Sequence, residues 1–339
     1  MRDENMITIE DISKITGLSI SIISRYMNGY NVRKENKILI EEAVKKTGYT
    51  PNEFARSLRA KQTKVIGAII PSLKDIFALS VLQYVEIILK KRGYSLFIAD
   101  CMGSKDEEVV CVQMMIQKRV DALIVLPVGD IEAISDMSKK NKIPLIIFDQ
   151  YFENITADYI LFENKAGAYR ACEVLIENGH TNIGVMVGPL VDYTPRQRLK
   201  GFKKCMEEKG LPVAKENIVE VAGYTMNMGY TAALEILSKN KNLTALFSTN
   251  FDMTLGIIKA TNELGLKIPD DISLMAFDCL EIYEVITPKL WTINQPVEAI
   301  GEQVAYQVLN RISSSDDSPP TTQFVGYELR EGESIKKLL

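Results

Sequence analysis

Apolar positions follow a helical spacing over the first fifty residues. Two short helices are predicted between residues 8 and 28, and a third at about 34–46 that ends at Gly48. The apolar stripes that define them are Ile9, Ile12 and Ile15 in the first helix, Ile22, Ile23, Tyr26 and Met27 in the second, and Ile38, Ile40, Ala43 and Val44 in the third. This pattern predicts a small three-helix head.

Capping residues set the ends of the first two helices. Thr8 is placed to cap the first helix, with Asp11 reaching back in a capping-box arrangement. Gly17 suits the left-handed conformation that ends a helix, and Ser19 is placed to cap the second. Two helices joined by a short turn that contains glycine form the helix-turn-helix layout, which presents its second helix to the DNA major groove. The same spacing also fits two helices of an ordinary bundle.

Beyond residue 65, short continuous apolar runs alternate with amphipathic helices. The predicted strands are 65–70, 94–99, 122–126, 145–148, 183–187, 218–222, 245–248 and 272–277. Helices are predicted near 77–91, 105–118, 131–140, 165–178, 196–209, 227–239, 253–264 and 297–311. This alternation is typical of an α/β fold with parallel, doubly wound sheets. Eight strands in two groups indicate two similar lobes with a break near 154–162, and a ligand cleft between them.

Composition places the chain among ordinary globular proteins of two or three domains. It has 339 residues, of which 46% are hydrophobic, and no apolar run approaches the roughly 20 residues of a membrane span. The N-terminus has no apolar signal core, and five dispersed cysteines form no CxxC pair, which favours a reduced, cytoplasmic setting. Residues 1–62 carry a charge of +3, so the net charge of −4 leaves −7 on the rest. A mildly basic head suits DNA.

The motifs of common catalytic sites are missing from the sequence. His180 is the only histidine, which argues against His-based triads and multi-His metal sites, and its place after Gly179 predicts a role at a helix end or turn. GxGxxG, GxxxxGK[ST] and GxSxG motifs are also absent. Asp100, Asp149 and Asp278 follow strands, but their spacing does not pair them. We therefore predict no enzyme, no cofactor, no metal and no catalytic residue.

In their shared order along the chain, several motifs resemble the LacI/GalR family of bacterial transcription regulators. The head and hinge motifs are residues 8–12 (TIEDI), 17–19 (GLS), 24–28 (SRYMN), 48–52 (GYTPN) and 55–59 (ARSLR). The body motifs are residues 179–184 (GHTNIG), 196–202 (RQRLKGF), 271–278 (DISLMAFD) and 292–296 (TINQP). The resemblance covers nearly the whole chain. It implies a periplasmic-binding-protein-like body of type I and a homodimer on a palindromic double-stranded operator.

The resemblance also implies DNA contacts in the head and the hinge. Ile20 and Ser21 match the positions that set operator choice, and Arg25 matches an arginine that reads a guanine. Leu58 matches the leucine wedge of a hinge helix at 51–59, which enters the minor groove. The remaining expected DNA contacts are Ser24, Asn28, Asn52 and Ala55.

A second set of residues matches the family's effector site in the body. The polar contacts implied are Asp149, Arg198, Asn250 and Asp278, with Tyr224 as an aromatic that stacks on the ligand and Phe77 lining the opposite wall. Arginine and aspartates suit bidentate bonds to vicinal hydroxyls or to an anionic group. Lys74 and Arg196 keep an acidic or phosphorylated sugar open as the effector.

These observations predict a DNA-binding head at 1–50 and a hinge and linker at 51–62. The first lobe is expected at 63–161 with about 294–322, and the second at 162–293 with about 323–339. The expected function is repression of carbohydrate-utilisation genes, with release from DNA when a sugar or sugar derivative binds between the lobes. Alternatives are a corepressor-dependent regulator of the same family, a solute-binding protein without a regulatory role, and an α/β enzyme with an accessory head.

Overall fold

A computed structural model describes residues 7–27, 29–49, 62–129, 131–278, 285–313 and 318–338. The chain divides into two compact units, Met1–Lys64 and Val65–Leu339. Within the described residues, no helix combines the length and the apolar character needed to cross a membrane.

The first unit contains three helices, α1 (Ile9–Thr16), α2 (Ile20–Met27) and α3 (Lys34–Thr47). The predicted capping box forms, because Thr8 Oγ1 accepts the Asp11 N–H at 3.3 Å and the Asp11 carboxylate accepts the Thr8 N–H at 3.0 Å. Gly17 ends α1 at a φ of 68°, where a residue without Cβ avoids steric strain. The core of this head consists of Ile12, Ile23, Ile40, Ala43 and Tyr49.

Two residues of the predicted stripes lie outside this core. Ile15 is 53% exposed and Ile38 is 47% exposed. An α-helix turns by about 100° per residue, so a position six residues after Ile9 lies about 120° away from it around the axis. The spacing i, i+3, i+6 therefore leaves the buried face at its third member. The Ile15 prediction was wrong for this geometric reason. The Ile38 prediction was wrong because Ile38 lies two residues before the buried Ile40, about 200° away from it around the axis of α3.

The second unit is built on two six-stranded sheets, each covered by helices. The chain first forms β1 (Val65–Ile70), α4 (Ile76–Lys91), β2 (Ser95–Asp100), α5 (Lys105–Gln117), β3 (Ala122–Val125), α6 (Ile131–Asn141), β4 (Leu145–Phe148) and β5 (Asp158–Phe162). It then forms α7 (Asn164–Glu177), β6 (Ile183–Val187), α8 (Tyr193–Glu208), β7 (Ile218–Glu220), α9 (Met226–Lys239), β8 (Ala245–Ser248), α10 (Phe251–Glu263), β9 (Ser273–Phe277) and β10 (Trp291–Asn294). The last elements are α11 (Val297–Ser313), β11 (Thr322–Val325) and β12 (Glu328–Arg330).

Both sheets have the same order of equivalent strands. The first lobe runs β11-β5-β4-β3-β1-β2 and the second runs β12-β10-β9-β8-β6-β7. The recorded pairings are parallel, except that β12 is antiparallel to β10. These sheets confirm the predicted two-lobed, doubly wound body. Strands that are buried on both faces explain why the sequence reads as continuous apolar runs.

The chain crosses between the lobes three times. Residues Asp158–Phe162 form a fully buried strand of the first sheet, so the first crossing follows Phe162, at the end of the predicted break near 154–162. The chain returns after Asn294 and crosses again after Val325, a few residues beyond the position predicted near 322. Strands β5, β10, β11 and β12 were missed. Strands β11 and β12 are half-exposed edge strands, so they lack the continuous apolar run by which the other strands were predicted.

Several residues with chemically reactive side chains have structural roles in the described part of the chain. His180 is buried between Thr244 Oγ1 (2.9 Å) and the Lys336 carbonyl (3.0 Å), at the turn after α7. Burial lowers the pKa of its imidazole. Cys111 and Cys172 pack in the core as small apolar residues. The described residues contain no group of side chains suited to hold a metal ion.

Candidate functional site

The exposed face of α2 carries the predicted base-contacting residues. Ser21 and Arg25 are exposed, while Ile20 and Ser24 are partly buried. Ile23 anchors the opposite face of α2 in the core, and Tyr26 donates a hydrogen bond of 2.7 Å to Glu41 on α3. These contacts hold α2 with its polar face outward. Asn28, Asn52, Ala55 and Leu58, together with the predicted hinge helix, lie outside the described residues.

Asp149 and Asp278 occupy equivalent positions in the two lobes. Each follows a central strand, β4 or β9, and adopts a left-handed backbone conformation, with φ of 66° and 67°. Each donates its backbone N–H to the neighbouring strand, at Ile160 O (3.1 Å) and Ile293 O (2.7 Å). Aspartate tolerates this conformation better than most residues, because its short polar side chain fits it. The repeated geometry turns both carboxylates into the space beyond the strand ends.

Arg198 on α8 is the cation of this cleft, and it is only 4% exposed. Its Nε donates to Asn164 Oδ1 at 2.7 Å, and an Nη donates to the Thr249 carbonyl at 2.5 Å. The guanidinium lies 3.8 Å from the centre of the Phe277 ring and 3.7 Å from the Asp278 carboxylate. Stacking and charge-assisted hydrogen bonds therefore hold a buried positive charge in one orientation.

Burial changes the protonation of the cleft carboxylates. It raises the pKa of Asp149 from 3.8 to about 6, although the nearby Arg198 charge acts in the opposite direction. Burial also raises the pKa of Asp278, opposed by Arg198 and by a hydrogen bond from Gln295. Because a desolvated carboxylate is unfavourable unless it is paired, these groups are suited to accept hydrogen bonds from a ligand.

Several buried polar atoms around this cleft have no hydrogen-bond partner within the described part of the protein. They are Asp149 Oδ1, Gln295 Oε1 and both side-chain amide atoms of Asn294. Gln295 is 9% exposed and donates through its other amide atom to Asp278 at 2.9 Å, so its free carbonyl belongs to the same cluster. Buried polar groups are nearly always satisfied, by protein, water or ligand. Unpartnered groups at this point make the cleft a candidate binding site.

Phe77 and Tyr224, the two aromatic residues expected at the cleft, each pack against a neighbouring element of their own lobe. The Phe77 ring lies 6.5 Å from that of Phe148, directly before Asp149. The Tyr224 hydroxyl donates to Asp192 at 2.5 Å, and its ring approaches Gly188 so closely that a Cβ there would lie 2.5 Å from a ring carbon. Burial and the Asp192 carboxylate both raise the pKa of the Tyr224 hydroxyl, so it remains a neutral donor.

Asn250 has a structural use in addition to its expected place in the cleft. Its Oδ1 accepts the backbone N–H of Met253 at 3.3 Å, which caps the N-terminus of α10. The preceding residue, Thr249, supplies the carbonyl that holds Arg198. The two residues therefore join the start of α10 to the cleft.

Sequence reasoning missed several residues of this region. Asp75 caps α4 by accepting the Ala78 N–H at 3.0 Å, and Asn164 and Gln295 support Arg198 and Asp278. Thr194 donates to the Asp149 carbonyl at 2.8 Å and thereby joins the lobes. An Asp before an apolar helix is a readable capping signal, so Asp75 could have been found. The other contacts join residues 17 to 45 positions apart and leave no local pattern.

A helix-turn-helix head joined to a two-lobed α/β body with a buried polar cleft is the architecture of a ligand-responsive DNA-binding regulator. Residues 172–335 match the family model described as a periplasmic binding protein-like domain. The HTH-type transcriptional repressor PurR of Shigella dysenteriae serotype 1 is 32% identical over 323 residues, 94% of each chain. That of Vibrio vulnificus is 31% identical and covers 98% of this chain and 100% of the relative.

Solved structures show the same fold. A Lac repressor dimer bound to operator and the anti-inducer ONPF superposes with a TM-score of 0.87 at 22% identity, over 97% of this chain and 99% of that one. A ribose operon repressor from Burkholderia thailandensis gives a TM-score of 0.70 at 28% identity, over 79% and 98%. The chain belongs to the LacI/GalR family and is a DNA-binding transcriptional repressor rather than an enzyme.

Proposed function

We propose that this chain represses transcription as a homodimer on a palindromic operator and leaves the DNA when a carbohydrate binds between its lobes. On the DNA side, Arg25 would read a guanine through two hydrogen bonds, and Ile20 and Ser21 would set the choice of neighbouring bases. Ser24 and Asn28 would contact the phosphate backbone, and Asn52, Ala55 and Leu58 the minor groove. The exposure of Ser21 and Arg25 on α2 supports this assignment.

The observation that carries the effector part is the buried cluster of Arg198, Asp149 and Asp278 with its unpartnered acceptors. Paired carboxylates and an arginine suit the vicinal hydroxyls of a sugar. Two solved structures of similar fold hold sugars: a CelR–cellobiose complex and a LacI-family regulator from Enterococcus faecium with bound ribose. The name of the PurR relatives does not identify a sugar, so the carbohydrate rests on the cleft chemistry. Phe77, Tyr224 and Asn250 would complete the site.

The homodimer is supported by the edge of the first sheet. Strand β2 lies at this edge and exposes Phe97 (39%) and Ile98 (36%). Ile87 and Met102, which flank β2 in sequence, are also exposed. An open, apolar edge strand is unfavourable in water and is usually covered. We assign a second copy as the cover, since the Lac repressor of similar fold is a dimer, and place the protein in the cytoplasm with its DNA.

The switch would act through contacts that join the lobes at the cleft. Thr194 donates to the Asp149 carbonyl, the Tyr193 N–H donates to Gln150 Oε1 at 3.2 Å, and the rings of Tyr151 and Tyr193 lie 5.7 Å apart. A ligand that binds Asp149 in one lobe and Arg198 in the other changes the relative stability of the lobe arrangements. A coupling of about 1–3 kcal/mol between the two sites is sufficient for regulation.

The test begins with selection of a preferred operator from random duplex DNA by the purified full chain. Fluorescence anisotropy then measures operator affinity with and without a panel of sugars. We expect sequence-selective, salt-sensitive binding that a sugar weakens. A sugar that strengthens binding would indicate a corepressor-dependent regulator instead. Sugar binding without selective DNA binding would favour a solute-binding protein, and failure of both measurements would refute the proposal.

A further inference from the structure

The cleft collects negative charge from both lobes. Asp149 follows β4, and Asp75 caps the helix that follows β1, so both lie at the carboxyl edge of the first sheet. The Phe77–Phe148 ring contact brings the loop of Asp75 next to the strand that ends at Asp149. Asp278 enters from the second lobe. The Asp278 and Asp252 charges raise the pKa of Asp75, in addition to burial, so these carboxylates influence one another.

The positive charge available to balance them is small. Arg198 is the only buried lysine or arginine in the described part of the chain, and it already serves Asn164, Thr249 and Asp278. Lys74 and Arg196 are the residues for which the sequence left an anionic sugar as an alternative effector. Both are exposed. An Nη of Arg196 donates to the Val191 carbonyl at 2.9 Å on the protein surface. The interior of the cleft is therefore net negative.

The unpartnered atoms indicate the complementary chemistry. Asp149 Oδ1 and Gln295 Oε1 are buried acceptors that lack donors. A hydroxylated ligand supplies donors to both of them without adding negative charge. A phosphate or carboxylate supplies further acceptors and a negative charge, which would lie among carboxylates in a medium of low dielectric constant.

Building on the proposed carbohydrate function, we propose that the cleft binds an uncharged, hydroxyl-rich ligand and that Asp75 is a specificity-determining residue that excludes phosphorylated and carboxylated sugars. Asp75 acts by its charge at the first-lobe wall of the cleft. Its second role, as the cap of α4, is separable, because asparagine caps a helix as well as aspartate does.

Isothermal titration calorimetry on the full chain tests this with matched compounds. The panel pairs ribose with ribose 5-phosphate, glucose with glucose 6-phosphate and glucuronate, and galactose with galactose 6-phosphate and galacturonate. We expect an uncharged member to bind and its anionic partners to bind at least roughly tenfold more weakly, because a unit charge several ångströms away acts this strongly at an effective dielectric constant of about 20.

Two variants distinguish an effect of the Asp75 charge from an effect of its structural role. Asp75→Asn should reduce the ratio of binding affinities between an uncharged sugar and its anionic partner by roughly tenfold. Asp106→Asn removes the same charge from an exposed position in the first turn of α5 and should leave the ratio unchanged. A merely structural role for Asp75 would weaken both partners equally and preserve the ratio.

The outcomes distinguish the two levels of the proposal. An anionic sugar that binds more tightly than its parent, or an unchanged ratio in Asp75→Asn, overturns the exclusion of anions and leaves a sugar-responsive repressor standing. Absence of binding by every compound overturns the sugar class itself, here and in the proposed function. Binding of an uncharged sugar, with an affinity ratio over its anionic partner that falls in Asp75→Asn, supports both the sugar class and the exclusion of anions.

Discussion

Replacing Asp149 with asparagine should stabilise the folded protein at neutral pH. The pKa of Asp149 is about 6 in the folded state, against 3.8 for an ordinary aspartate. The folded state therefore binds this proton more tightly than the unfolded chain does. The resulting stability is present at acidic pH and is lost as the pH rises through about 6. At pH 7.5 the folded protein bears the cost of a buried carboxylate, and asparagine removes it.

The magnitude follows from the pKa difference. One pKa unit corresponds to 1.36 kcal/mol, so a rise from 3.8 to about 6 sets an upper limit of about 3 kcal/mol. Asparagine tolerates the left-handed backbone of residue 149, so the substitution adds little strain. Its amide leaves a polar group near the unpartnered Oδ1 position, which lowers the net gain to about 1–3 kcal/mol.

Thermal unfolding of the full chain across pH provides the assay, with fluorescence of Trp291, the single tryptophan, reporting on the body. A gain of about 1–3 kcal/mol corresponds to roughly 2–12 °C for a domain of this size. The gain should be complete at pH 7.5 and vanish near pH 4, where Asp149 is protonated in the folded state. The exposed control Asp136→Asn should show no such dependence. A loss of stability at pH 7.5, or an equal gain at pH 4, would refute the reasoning.

Three further predictions concern the cleft and the head. Arg198→Met should abolish the ligand response in the anisotropy assay while operator binding is kept. It should also lower the free energy of unfolding by about 3–5 kcal/mol, because it leaves a buried carboxylate unpaired. The control Arg196→Met, at an exposed position, should change the free energy of unfolding by less than about 0.5 kcal/mol. Arg25→Ala should reduce discrimination between the selected operator and single-base variants by about 1–3 kcal/mol, whereas an equal loss on all DNA would mean phosphate contact only. Thr8→Ala should destabilise the head by about 1 kcal/mol, measured by amide hydrogen exchange in α1, and unchanged exchange there would contradict the capping role.

Local patterns were sufficient for the helices and for eight of the twelve described strands. The three head helices and the eight long helices of the body lie within a few residues of their predicted bounds, because caps and amphipathic spacing act within one or two turns. Strands β1, β4, β6 and β8 match their predicted bounds. Of the four missed strands, β11 and β12 are held by pairing with residues far away in sequence.

The candidate cleft also contains some features that the sequence could predict and others that it could not. Resemblance supplied Asp149, Arg198, Tyr224 and Asp278, which are strand-end and helix residues in recognisable motifs. Their chemistry depends on contacts that have no sequence signature. Asn164 orients Arg198, and Gln295, which follows β10, donates a hydrogen bond to Asp278. The surplus of negative charge, to which Asp75 contributes, is a property of the folded arrangement.

The sequence by itself determined that this protein has a helix-turn-helix head and a two-lobed α/β body, because periodicity, caps and motif order are local properties of the chain. Tertiary structure decided which strands pair in each sheet, including the missed strands β5, β10, β11 and β12, since pairing joins residues far apart in sequence. It also decided the charge balance of the cleft. Carboxylates that are scattered over 200 positions, from Asp75 to Asp278, influence one another only when folding removes the water between them.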